Sequence, residues 1–304
     1  MNTTSSTSSH QRALVLGGGG STGNAWLIGV IAGLHDAGLD VSTADLTIGT
    51  SAGSTAAAQM AGATPAELLA ATLVAVPEQR TGPEGGAGRG RASNQPVADH
   101  LARLRAAIAS ADDVADLRRT MGAAALARDA ASDGSWTAQW RVTVAARLSS
   151  PSWPERPLLI TAVDARTGEP VLFDCHSGVD LVDAVAASCA GGGLPYRIGD
   201  HRYIDGGYRA NAENADLAVG YERVLVLSPL GGRTLHPLGW GTQLAAQVDQ
   251  LRAGGSRVET IVPDDSAEHL FGANAMDPSL RPAAARAGDE QGRTLAQQLT
   301  EFWR

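Results

Sequence analysis

The feature that most constrains this 304-residue chain is a pentapeptide, Gly49-Thr50-Ser51-Ala52-Gly53. It stands between an apolar run that reads as a strand, Asp45 to Ile48, and an Ala-rich run that reads as a helix, Thr55 to Gly62. G-x-S-x-G at a strand-to-helix turn has a mechanical consequence. The serine hydroxyl is thrust out of the sheet edge, and the bare positions Gly49 and Gly53 let neighbouring backbone pass close by. The following helix points its N-terminus at the serine, which favours negative charge there. A plain turn of small residues is the competing reading in a chain with 36 glycines. The surroundings decide between the two.

Upstream, Arg12 to Leu16 is a short apolar strand that runs into Gly17-Gly18-Gly19-Gly20-Ser21-Thr22-Gly23. Leu27, Ile28, Val30, Ile31 and Leu34 then recur at helical spacing, and Gly38 closes that helix. Strand, loop, helix and strand make a parallel pair with a crossover. Gly18, Gly20 and Gly23 satisfy G-x-G-x-x-G, with Asp40 or Asp45 about 20 residues on, which fits a dinucleotide loop. The same glycines also fit a loop that offers bare N–H groups to an oxyanion. The second reading is preferred because adjacent parallel strands bring this loop and the serine turn to the same sheet edge.

Further along, Thr64-Pro65-Ala66-Glu67 opens a helix with a capping box. The stretch from Pro77 to about Pro96 is Gly-, Pro- and Arg-rich and is expected to be a mobile surface loop, followed by two or three Ala/Arg/Leu helices up to Leu148. Trp136 and Trp140 lie one helical turn apart, as core packing requires; lining an acyl pocket or touching lipid is the functional alternative. Leu158 to Asp164 and Val171 to Asp174 read as strands paired around a turn at Arg166 to Glu169. Leu181 to Ala190 reads as a helix, Arg202 to Ile204 as a strand ending in Asp205-Gly206-Gly207, and Val224 to Leu227 and Val258 to Val262 as strands on either side of a helix from Thr242 to Ala253. The tail from about Ala283 to Trp303 reads as an amphipathic helix that covers the sheet. This alternation predicts an α/β fold, three-layer α/β/α with a mostly parallel central sheet.

The formal charge of −8 argues against a nucleic-acid partner, which would select a basic face. All 24 basic residues are arginine, which looks like a coding bias. Cys175 and Cys189 have no metal-ligand spacing, and no metal or cofactor is expected. Residues 1–11 read as a disordered polar tail without the apolar core of a secretory signal. No apolar run is long enough to span a bilayer, so the expected location is cytoplasmic, with at most transient contact at a membrane surface.

Three motifs in order, Gly18 to Gly23, Gly49 to Gly53, and Asp205-Gly206-Gly207, resemble the signatures of patatin-like phospholipases, over about Leu14 to Asp216. The resemblance implies a patatin-like domain over 12–304, with a mobile loop and helical insertion at about 77–157. It implies a Ser-Asp dyad without histidine: Ser51 as nucleophile, Asp205 as base, and the amides of Gly18, Gly19 and Gly20 as oxyanion hole. Gly206 and Gly207 would turn the chain tightly after the base. The expected reaction is hydrolysis of carboxylic esters, lipid acyl esters above all. Thr22 departs from the family's pattern, which commonly has arginine in the glycine loop, and so weakens the case for a phosphate-bearing substrate. His201 reads as a strand-edge residue, and Asn211 receives no role. The alternatives are a Ser-His-Asp triad using His236 or His269, a nucleotide-binding module built on the glycine loop, and an idle scaffold.

Overall fold

A computed structural model of the chain describes residues 11–74 and 95–304. The polar tail before Gln11 and most of the expected loop from Pro77 to Pro96 lie outside the described residues, and Gln95 and Pro96 already open a helix.

Strand β1 (Arg12–Leu16) and helix α1 (Gly20–Asp36) are followed by β2 (Leu46–Gly49) and α2 (Ala52–Met60). Next come α3 (Pro65–Leu73), α4 (Gln95–Ser110), α5 (Val114–Ala130) and α6 (Trp136–Ala145). Strands β3 (Leu158–Asp164) and β4 (Pro170–Phe173) form the expected hairpin, and α7 (Leu181–Ser188) leads to β5 (Tyr196–Ile198) and β6 (His201–Asp205). Then come β7 (Arg223–Leu227), α8 (Leu244–Ala253), β8 (Arg257–Ile261) and α9 (Arg281–Trp303). The capping box at Thr64 forms as expected, with Thr64 and Glu67 each bonding the other's backbone N–H.

Hydrogen bonding links the strands as β5-β6-β3-β2-β1-β7-β8, with β4 also on β3. The run β3-β2-β1-β7-β8 is parallel, and the pairings of β4, β5 and β6 are antiparallel. Alternation along β1 sorts the two faces. Leu14 and Leu16 pack with Trp26, Leu27 and Ile31 of α1, while Ala13 and Val15 pack with Leu244, Val248 and Leu251 of α8. Helix α5 adds to the second face, where Ala125 meets Val163 and Ile204. The result is the three-layer α/β/α arrangement.

Register explains how two distant segments meet. Ile160 pairs with both Gly49 and Phe173, and Ala162 pairs with both Asp205 and Val171. Each strand residue has one neighbour per side, and β4 takes one side of β3 throughout. So β2 and β6 share the other side, running toward each other and stopping two residues apart. The turn after β2 carries Ser51, and the last residue of β6 is Asp205.

The tail helix α9 covers the sheet as expected, Trp303 under the Arg12 guanidinium of β1 and Phe302 under that of Arg257 of β8, but it lies mainly along α1. Gly29 and Gly33 of α1 face α9 so closely that a Cβ at Gly29 would strike the Ala285 carbonyl, and Gly288 and Gly292 return the contact from α9. Trp136 and Trp140 stack on each other at 5.9 Å, Trp136 meets Tyr196 edge-on, and the Trp140 indole donates to the Ala186 carbonyl. The pair packs against α7, as the core-packing reading expected, and neither ring lines the cleft described below.

Candidate active site

Ser51 has φ 51° and ψ −113°, a left-handed backbone that costs a non-glycine residue about 1–3 kcal/mol. Its neighbours fix it there. The Ser51 N–H donates to Ser188 Oγ at 2.9 Å, and its carbonyl accepts from Ser54 Oγ at 2.7 Å and Cys189 Sγ at 3.2 Å. The turn is possible only because position 53 is bare: a Cβ on Gly53 would run into the Leu16 carbonyl at the end of β1. Gly49 serves in the same way, since a Cβ there would lie 2.6 Å from Ser54 Cα.

Ser51 and Asp205 line one cleft, the hydroxyl near enough to favour the ionised carboxylate, which also accepts the Gly207 N–H at 2.8 Å. Burial is the larger influence on that carboxyl and pushes it up to about 6, against the downward pull of the Gly207 N–H and the nearby Ser51 hydroxyl. Gly206 presses against Thr161 of β3, so the chain turns there without a side chain.

The glycine loop faces this pair, with Gly18 backed against the Ser51 side chain. The three expected amides are not equivalent. The Gly18 N–H is taken by the Ala212 carbonyl at 2.8 Å, so it is not a free donor. Gly20 sits beneath Ala275 and Met276 and lies outside the cleft lining. Gly19 does line the cleft, and among the described residues its amide meets no acceptor. The Ala52 amide, next after the serine, also meets no acceptor among the described residues, and motif reading did not single it out.

Sequence reading also missed two bridging side chains. Asn214, left-handed at φ 55°, donates through Nδ2 to Thr50 Oγ1 and to the Gly206 carbonyl, both at 3.0 Å. It ties the serine turn to the aspartate turn. Arg281, at the start of α9, donates to the Ser21 carbonyl at 2.7 Å and to Asn24 Oδ1 at 3.0 Å. Asn24 in turn donates to the Ala52 carbonyl at 3.4 Å. Thr22 is fully buried, its N–H bonded to the Ala275 carbonyl at 3.0 Å, so a guanidinium reaches this loop from α9 instead. Asn211 is buried too and accepts the N–H groups of Glu213 and Asn214.

The cleft above Ser51 and Asp205 holds about 330 Å³ and is walled by Leu101, Leu104 and Ile108 of α4 and by Leu230 and Leu235 opposite. His236 lines it as well, but its Nδ1 pairs with Thr242 Oγ1 at 2.9 Å. His269 pairs with the Ser266 carbonyl, and His201 lies at the strand edge beside Asp164. The dinucleotide reading fails on its acid. Asp45 accepts from the N–H groups of Gln11 and Arg12 at the opposite end of β1, and Asp40 caps Ser42. Among the described residues, no group of three or more His, Cys, Asp or Glu side chains is placed to hold a metal ion.

A family model described as patatin-like phospholipase matches residues 14–218. No curated protein matches the chain. Among solved structures, VipD from Legionella pneumophila aligns at TM-score 0.41 and 13% identity, covering 95% of this chain and 67% of VipD. The type III effector protein ExoU aligns at TM-score 0.38 and 16% identity, covering 95% of this chain and 53% of ExoU.

Proposed function

Since this chain belongs to the patatin-like phospholipase family, we propose that it hydrolyses carboxylic esters, lipid acyl esters first, through Ser51 and Asp205 with no histidine. The observation that carries the reading is the meeting of Ser51, on its strained turn, with the buried Asp205 carboxylate in one cleft beside the glycine loop, burial having raised that carboxylate's basicity. Asp205 takes the hydroxyl proton as Ser51 Oγ attacks the ester carbonyl carbon. The oxyanion so formed is received by the N–H groups of Gly19 and Ala52, a pair of donors of the kind worth about 2.7–4 kcal/mol each. Asp205 returns the proton to the departing alcohol, leaving an acyl-serine. Water then attacks the acyl carbon as Asp205 takes its proton, and the carboxylic acid leaves with Ser51 restored.

The net charge of −8 and the lack of lysine make contact with an anionic lipid surface transient. Among the described residues, no helix is long and apolar enough to cross a membrane.

The test is turnover of a soluble p-nitrophenyl ester together with labelling by a fluorophosphonate. Ser51→Ala and Asp205→Asn should each lower kcat by roughly a thousandfold or more while retaining the circular dichroism of the folded chain. Ser51→Ala should also escape labelling. His236→Ala should keep near-normal turnover. Loss of activity in the histidine variant, or full activity in either dyad variant, refutes the mechanism.

A further inference from the structure

A second cavity of about 330 Å³ adjoins the cleft, and His100 and Tyr208 stand in the walls of both. Tyr208 Oη lies 3.3 Å from His100 Nε2, so this pair forms the partition. Beyond it the walls are apolar, with Ala107, Met121, Ala125 and Ile204, and two cations enter: Arg103 from α4 and Arg128 from α5. Ile204 immediately precedes Asp205, which places the cavity directly behind the dyad carboxylate.

Asp129, next to Arg128, binds both Arg197 and Arg202. Yet among the described residues neither Arg103 nor Arg128 forms an ion pair, and no carboxylate lines the cavity. Arg128 is anchored by a bond from Nη1 to the Gly193 carbonyl at 3.4 Å, on the glycine turn whose first member, Gly191, touches Asp205. Both guanidiniums act on the same spot: with burial, they push His100 below its ordinary value, and both oppose the upward shift that burial imposes on Tyr208.

Two guanidiniums, Arg103 exposed and Arg128 half-buried, share an apolar hollow with no carboxylate in its described lining and so match an anion, and two charges match a phosphate monoester better than a carboxylate or a phosphodiester. We propose that this cavity binds a phosphate monoester carried by the substrate beyond the scissile ester, with Arg103 and Arg128 as specificity-determining residues that favour doubly charged esters over neutral and zwitterionic ones. The proposal rests on the ester-hydrolase reading above.

The experiment compares three substrates with one acyl chain, below their critical micelle concentrations: a monoacylglycerol, its phosphate monoester and its phosphocholine ester. The wild type should favour the phosphate monoester in kcat/KM by about tenfold or more over either of the others, the scale expected of charge-assisted hydrogen bonds. The double variant Arg103→Gln, Arg128→Gln should bring the three within about twofold and leave monoacylglycerol turnover unchanged. Arg103→Lys with Arg128→Lys should restore part of the preference, which a general loss of folding would not do. Equal use of all three esters by the wild type, or a preference that survives in the Gln variant, overturns the inference while leaving the dyad standing. Inactivity toward the monoacylglycerol and both phosphate-bearing esters would fell the hydrolase reading itself, and this inference with it. Inorganic phosphate should raise KM for the phosphate monoester only. If it instead alters monoacylglycerol turnover in the wild type and not in the Gln variant, the cavity is a free-anion site and the substrate assignment is wrong.

Discussion

Asp205 carries two consequences of one displacement. Its carboxyl sits near 6 in the folded chain, against 3.8 for an unburied aspartate. A base must be ionised, so kcat/KM for a soluble ester should rise with pH around a midpoint near 6 and level off above it. A profile flat from pH 5 to 8 would remove Asp205 as the titrating base. The same displacement acts on stability. A folded-state value above the unfolded one means that the folded chain holds the proton more tightly. The associated stability is complete below about 3.8 and is lost as pH rises through 6, leaving a cost of about 2–3 kcal/mol at pH 8. Asp205→Asn removes that cost. It should match the wild type in denaturant midpoint near pH 3.5 and exceed it at pH 8, trading activity for stability. An offset independent of pH would mean that the carboxylate is well solvated. At this scale the motifs placed Ser51 and Asp205 on turns that line one cleft, because each sits in a short pattern that imposes a turn. They spoke falsely for Gly18, because a backbone amide's partner, here Ala212, comes from a segment nearly 200 residues away. Asn214 and His100 stayed silent for a related reason: each acquires its role only from the element packed against it.

At the scale of elements, local pattern served well wherever an element is long or capped. The strands before both glycine turns, the capping box of α3 and the hairpin β3-β4 all follow from periodicity and turn residues. Strand β5 was not legible; three residues, Tyr196 to Ile198, carry too little alternation. Helix α9 was legible as a helix and as a cover for the sheet, but not in its close approach to α1. Its glycines at 288 and 292 look like helix-weakening residues until α1 is seen to present Gly29 and Gly33 to them, which lets the two backbones touch. That close approach brings Arg281 to the glycine loop. Its guanidinium, desolvated and held below its ordinary value by burial and by the nearby Arg147, fixes Asn24, and Asn24 fixes the Ala52 carbonyl. Arg281→Met should therefore slow ester turnover about tenfold through kcat, with KM little changed and the fold retained; losing one positioning contact costs on the order of 1–2 kcal/mol. Arg281→Lys should recover part of that loss. A change confined to KM would place Arg281 in substrate binding instead of loop positioning.

At the scale of the whole molecule, the α4–α6 region between α3 and β3 gives the cleft its apolar wall. The tryptophan pair is turned inward onto α7, so the lipid-facing role weighed for it passes to α4. Leu101, Leu104 and Ile108 recur there at spacings of three and four, one helical stripe directed into the cleft. Leu104 is the middle residue of that stripe and also packs near Trp240 across the molecule. An acyl chain lying along the stripe gains about 0.8 kcal/mol per methylene buried, close to a fourfold step in kcat/KM for each added carbon until the wall is covered. Leu104→Ala keeps the wall's ends and removes its middle, so the gain with acyl length should flatten after the first few carbons while acetate and propionate esters react as before. A series of p-nitrophenyl esters from two to ten carbons reads this directly. Parallel length profiles for the wild type and Leu104→Ala would show that the acyl chain leaves the cleft by another face, and α4 would then have no part in choosing the substrate.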